Sequence, residues 1–161
     1  MKLHFSRDWL RSKISSDPDV EVEACSALRA LPAAAPEVVM AERNVVRLRL
    51  ALGVLVRQLR LRERLSLAEL ARKAQISEDE LRSVEHDPHY TAKPYLLFQL
   101  SEFFDVPLTK LSQMAGATHS VNRSLYNDAV RYAARSDDLD SLSDEELRDL
   151  NAFVALLQGR E

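Results

Sequence analysis

A chain of 161 residues, 46% hydrophobic but only 6% aromatic and with three glycines, has room for one modest domain plus extensions and favours helices built on Leu, Ala and Val over a sheet protein. A net charge of −3 argues against a protein that coats nucleic acid through charge alone. One cysteine, Cys25, cannot close an internal disulfide, no apolar run approaches the ~20 residues of a membrane span, and Arg7, Asp8, Arg11 and Lys13 interrupt any signal-peptide core, so a cytoplasmic protein is expected.

In chain order, residues 1–36 read as an appended arm and linker. Ser6 can cap a short helix whose apolar face is Trp9, Leu10 and Ile14, and Phe5 and Leu10 have hydrophobic-staple spacing. Val20 to Ala24 alternates apolar and charged residues as a strand would, and "SALRALPAAAP" reads as a linker. The only tryptophan calls for burial on the chain's own domain, on a dimer mate or on a different protein, unless the arm is disordered. Pro36 and Glu37 then open a helical pattern that can run to Arg64, with Gly53 marking a break or a close packing point. Arg43, Arg47, Arg57, Arg60, Arg62 and Arg64 could form a nucleic-acid stripe; with Glu42 and Glu63 among them, a solvated helix face is the better expectation.

The stretch from Leu65 to Glu85, "LSLAELARKAQISEDELRSVE", places two short amphipathic helices at a tight turn. Ser66 with Glu69, and Ser77 with Glu80, both match the capping box, in which cap and carboxylate satisfy each other's backbone donors. Leu67, Leu70, Ala71 and Ala74 share one face of the first helix, Leu81 and Val84 one face of the second, and Ile76 sits between them. So little apolar surface needs further helices around it. A loop, "HDPHYTAKP", leads to Leu96, Leu97, Leu100, Phe103 and Phe104, and "DVPLTKLSQM" closes the domain at Gly116, a fitting helix stop. Residues 117–161 turn acidic. Leu125, Ala129, Val130, Tyr132 and Ala133 line one helix, and Ser143 with Glu146 repeats the capping box before another. There Leu147, Leu150, Val154 and Leu157, widened by Phe153, have the spacing of a seam for a dimer or partner helix, or for docking on the chain's own domain.

From about Arg47 to Gly116 the chain resembles the repressor-like regulators of the XRE family, a helix-turn-helix group. The carriers are "RQLRLRERLSLAELARKA", "IS" before the second helix, "LRSVE", and "LLFQLSEFFDVPLTKL" for the fourth and fifth helices. The resemblance implies an all-α, five-helix domain at 37–116 with an extended first helix, an N-terminal arm at 1–36 and a C-terminal helical region at 117–161. It implies a structural pair between Arg60 and Glu85. It also implies that Glu78, Asp79, Arg82 and Ser83 face bases in the major groove, with Arg72, Lys73, His89, Tyr90, Thr91 and Lys93 near phosphates. Three features depart from the family: Gln75 holds the turn position usually given to glycine, the loop after Glu85 is longer than usual, and three consecutive acids, Glu78 to Glu80, open the recognition helix. Such acids are good helix-starting chemistry, favoured by the macrodipole.

No nucleophile motif, glycine-rich phosphate loop or Cys/His metal cluster is present, so neither catalysis, a metal nor a cofactor is expected. Residues 47–116 carry 11 basic and 9 acidic side chains, the only section with a positive balance. The expected function is a sequence-specific regulator, a repressor binding double-stranded DNA as a homodimer. The alternative is an antitoxin- or adaptor-type interaction module whose partner is a toxin-like or metallopeptidase-like protein.

Overall fold

The computed structural model describes residues 37–39, 41–136 and 141–159; the expectations for the arm, including its Trp9 helix, its strand and Cys25, lie outside them. The elements run in order β1 (Glu37–Val39), α1 (Glu42–Arg62), α2 (Leu67–Lys73), α3 (Glu78–His86), α4 (Pro94–Phe104), α5 (Leu108–Met114), β2 (Ser120–Asn122), α6 (Arg123–Arg135) and α7 (Asp144–Gln158). The protein is mostly helical, as expected for this class, and no described helix is long and apolar enough to cross a membrane.

The start of the first helix is corrected. Glu37 to Val39 do not open it but pair antiparallel with β2, Val38 opposite Val121, and the helix begins at Glu42. Two successive β-branched residues favour the extended pairing over a helical first turn. Val121 itself is buried.

The helix α1 is the wall on which everything else is built. Leu48, Ala51, Leu52, Leu55, Val56 and Leu59 are all buried along it, and it meets α3 and α5 as well as α6 and α7. A helix buried on so much of its circumference belongs in the middle of a fold, not at its surface. Gly53 lies in this helix without breaking it. A methyl group there would sit 2.6 Å from the Val84 carbonyl oxygen and 3.1 Å from that of Glu85, so the glycine is the point at which α3 crosses α1.

The caps follow the sequence in two places of three. Ser66 Oγ accepts from the Glu69 amide at 3.2 Å while the Ser66 amide donates to Glu69 Oε2 at 2.8 Å, and Ser143 with Glu146 repeats this at 3.2 and 2.9 Å. Bound in this way to Ser66, Glu69 has its carboxyl held below the usual carboxylate range. Ser77 makes no such bond, and the Glu80 carboxylate pairs instead with Lys93. Between α2 and α3, Gln75 takes the left-handed backbone expected of the glycine it replaces (φ 56°).

The C-terminal helices close over the other side of α1. Leu150 and Leu157 are fully buried and Phe153 and Val154 nearly so, in the same core as Leu48 and Leu55. The stripe Leu147, Leu150, Val154 and Leu157 is therefore taken up by the chain's own domain and is not a free dimer seam. Periodicity gives the apolar face of a helix but not the identity of what covers it. Tyr132 stacks on Phe153 with ring centroids 4.4 Å apart and 14° between planes. The Tyr132 hydroxyl donates to Gln58 Oε1, and Gln58 Nε2 donates to Ser136 Oγ at 2.9 Å, so the one buried amide of α1 is bonded to α6. Burial first, then the charges of Glu146 and Asp149, raise the Tyr132 pKa and keep this hydroxyl a donor.

Gly53→Ala tests the crossing. Alanine is worth about 1 kcal/mol more than glycine in a helix, but a methyl 2.6 Å from a backbone oxygen forces α3 off α1. We expect a net loss of about 1–3 kcal/mol in urea unfolding. Unchanged or increased stability would show that the helices are not in closest contact there.

Candidate nucleic-acid interface

The outward surface of α3 is set by what its inward surface does. Leu81 and Val84 are buried against the core, which leaves Asp79, Arg82 and His86 exposed and Glu78 and Ser83 half-buried at the margin. Glu85 belongs to neither set. Its carboxylate is fully buried and receives Arg60 Nε on Oε1 at 2.9 Å and Arg60 Nη2 on Oε2 at 2.8 Å. The same guanidinium donates from Nη1 to the Leu65 carbonyl at 3.0 Å. One arginine thus joins the end of α1, the loop entering α2 and the last turn of α3. The fork geometry of guanidinium and carboxylate fixes distance and angle together.

The turn is braced from two more sides. Tyr95, exposed at the start of α4, donates its hydroxyl to the Gln75 carbonyl at 3.2 Å. Arg49, from the part of α1 preceding the buried crossing, donates to the His89 carbonyl at 3.1 Å and to the Ala115 carbonyl at 3.0 Å, tying the loop after α3 to the end of α5. Neither residue was singled out in the sequence. Tyr95 had one signal, its place beside Pro94 at the first turn of a helix; Arg49 had none beyond belonging to an arginine-rich helix.

Of the expected base-facing residues, all lie together on α3, and their charges are internally matched. Arg82 Nη2 is 2.7 Å from Glu78 Oε1 and Nη1 is 3.5 Å from Asp79 Oδ1, while Ser83 Oγ donates to the Asp79 carbonyl at 2.9 Å. Arg82 is about half exposed, so these pairs are surface pairs, each worth no more than ~1 kcal/mol, and a better acceptor can take the guanidinium from them.

Of the residues expected near phosphates, Arg72 and Lys73 are exposed at the end of α2, and His89 and Thr91 are exposed in the loop. Lys93 is exposed but paired with Glu80, whose hydrogen bond and charge raise the lysine pKa. Tyr90 is corrected. Its hydroxyl oxygen is buried with no hydrogen-bond partner among the described residues, and the ring packs against the core, so it cannot reach a phosphate. The arginines of α1 do not form one stripe either: Arg60 is bound to Glu85, and Arg62 lies 3.2 Å from Glu63.

Residues 56–111, from the middle of α1 to α5 and roughly a third of the chain, match the family model described as helix-turn-helix. Those residues are a helix-turn-helix domain, similar to the XRE type. Neither the curated proteins nor the solved structures contain a match to the chain. The helix-turn-helix domain is a DNA-binding regulatory unit, and in it α2 is the supporting helix and α3 the recognition helix. The helices α6 and α7 lie outside the matched residues, yet pack on its first helix.

Removing one partner of the Arg60–Glu85 pair leaves a charge uncompensated in a site where Glu85 has no exposure. We expect Glu85→Ala to cost about 3–5 kcal/mol in chemical unfolding, and Arg60→Met with Glu85→Leu together to cost much less. Additive losses in the double variant would show that the pair does not act as a unit.

Proposed function

We propose that the chain is a sequence-specific transcriptional regulator, a repressor that binds double-stranded DNA as a dimer, with α3 in the major groove. The observation that carries this is the bracing of α3: its last turn is clamped by Arg60, its crossing with α1 is closed at Gly53, and its outer face is left to solvent. In this reading Arg82 and Ser83 donate to base edges, and Glu78 and Asp79 accept from cytosine amino groups or hold Arg82 in position. Arg72, Lys73, His89, Thr91 and Lys93 approach phosphates and set the register. Dimerisation then uses surface other than the buried stripe of α7. Leu156 and Leu108 are both exposed, and they neighbour Gln158 and Asp105, which are bonded at 2.6 Å from Gln158 Nε2 to the Asp105 carbonyl.

A second reading is an interaction module of the antitoxin or adaptor kind. What favours it is that both cations nearest the recognition face, Arg82 and Lys93, are paired with acids of the first turn of α3.

Fluorescence anisotropy with DNA from the protein's own upstream region, against scrambled DNA at two salt concentrations, separates the two. The regulator reading expects preference for the upstream DNA, and a salt slope that reports how many phosphates are contacted. Arg82→Ala should then lower affinity for the preferred DNA about tenfold or more, the worth of one good base contact. Equal or absent binding to both DNAs would favour the interaction module, and an unchanged curve for Arg82→Ala would remove that residue from the interface.

A further inference from the structure

A cleft of about 300 Å³ opens between the recognition helix and the C-terminal helices. Its walls come from α1 (Leu50, Val54, Gln58, Leu61), from the last turn of α3 (Glu85, His86), and from the neighbouring ends of α6 and α7 (Ala133, Ser136, Leu142, Glu146). Its volume is at the small end of the range for small-molecule sites, roughly 300–1,000 Å³. Nothing in a helix-turn-helix unit requires it, because half of its wall is built by residues outside the matched segment.

The polar groups around the cleft are unequal. Both carboxylates are already committed: Glu85 to Arg60 through both oxygens, and Glu146 to the Ser143 cap. The donors are less fully used. Gln58 is only 4% exposed, and its amide nitrogen carries two N–H groups, of which one donates to Ser136. The second N–H of a buried amide calls for an acceptor. His86 stands exposed at the rim. Leu50, Val54, Leu61, Ala133 and Leu142 supply an apolar wall, with Leu50 half exposed. An apolar wall with convergent donors and spent acceptors selects a molecule with an apolar body and an anionic end.

We propose that this cleft binds a small amphipathic carboxylate, its apolar body against Leu50, Val54, Leu61 and Leu142 and its carboxylate toward Gln58 and His86. The occupant touches the last turn of α3 and both C-terminal helices at once. On the regulator reading above, on which this further step rests, it makes DNA affinity respond to the carboxylate.

Calorimetric titration of the full chain with hexanoate and benzoate tests the site, with hexanol and hexylamine as controls of similar apolar size. Hexanoate or benzoate should bind saturably at one site per chain, and hexanol about tenfold more weakly, the worth of hydrogen bonds to a charged group. Hexylamine should not bind. Val54→Trp, which fills the cleft, should abolish binding. His86→Ala, an exposed change that leaves the core alone, should weaken it about tenfold on the same grounds. No saturable binding, equal binding of acid and amine, or unchanged binding in both variants would overturn the proposal. Carboxylate binding without any shift in DNA affinity would keep the site and overturn the coupling. Carboxylate binding by a chain that shows no DNA preference would overturn the regulator reading alone.

Discussion

A charged pair withdrawn from water holds this domain in one arrangement. Arg60 and Glu85 lie 25 positions apart, and their two parallel hydrogen bonds of 2.9 and 2.8 Å can form only when the end of α1 and the last turn of α3 are at one distance and one angle. Taking both charges out of water costs several kcal/mol per ion, so the pair contributes little net stability. Its effect lies in what it forbids. Any slip of α3 along α1 would leave a carboxylate with no exposed atom facing apolar residues, and that penalty is steeper than the loss of a few van der Waals contacts. The third bond, from Arg60 to the Leu65 carbonyl, extends the constraint to the start of α2. The relative orientation of the two helices is thus specified by polar geometry, while Leu70, Leu81 and Val84 supply the apolar burial beneath it.

With α3 held, α1 becomes a wall that serves two clients. One side meets α3 and α5, the other α6 and α7. The two sides are joined differently. Toward α3 the contact is backbone against backbone, made possible by a residue with no side chain at position 53. Toward α6 it is a buried amide, Gln58, bonded to Tyr132 and Ser136. A buried amide is tolerated only while its partners stay in place. The C-terminal helices are therefore held in register with the same helix that supports α3.

Much of this was legible beforehand, and the misreadings share a cause. The caps at Ser66 and Ser143, the left-handed Gln75 and the buried faces of α2 and α3 depend on residues within one or two turns, which a sequence displays directly. Ser77 has the same spacing as those two serines but makes no cap bond, and the carboxylate that would close the box is held by Lys93, 13 residues beyond Glu80. Tyr90 sits in a polar loop and reads as a surface hydroxyl, but its ring is claimed by the core. Val38 and Val39 fit a helical pattern until a strand more than 80 residues away is present to pair with them. The apolar stripe of α7 is legible in the spacing of its residues; what covers it is a matter of tertiary structure. Each failure occurred where a distant group outbid the local one, and the bracing roles of Arg49 and Tyr95 were hidden for the same reason.

The acidic opening of α3 then has a physical account that does not depend on base contact. Glu78, Asp79 and Glu80 lie where the helix dipole favours negative charge. Two of them draw Arg82 along the helix surface and the third holds Lys93 at the mouth of the following loop. Because these pairs are exposed, each holds its cation by less than about 1 kcal/mol, whereas one good contact to a base is worth about 1–3. Magnitudes of this order do not prevent Arg82 from turning to a matching base. They do lower the gain from turning to phosphate charge alone at Arg82 and Lys93, where a phosphate contact must first displace an acid. On the proposed reading the face therefore gives up general affinity for nucleic acid and retains discrimination between sequences, in keeping with a domain whose positive balance is only two charges.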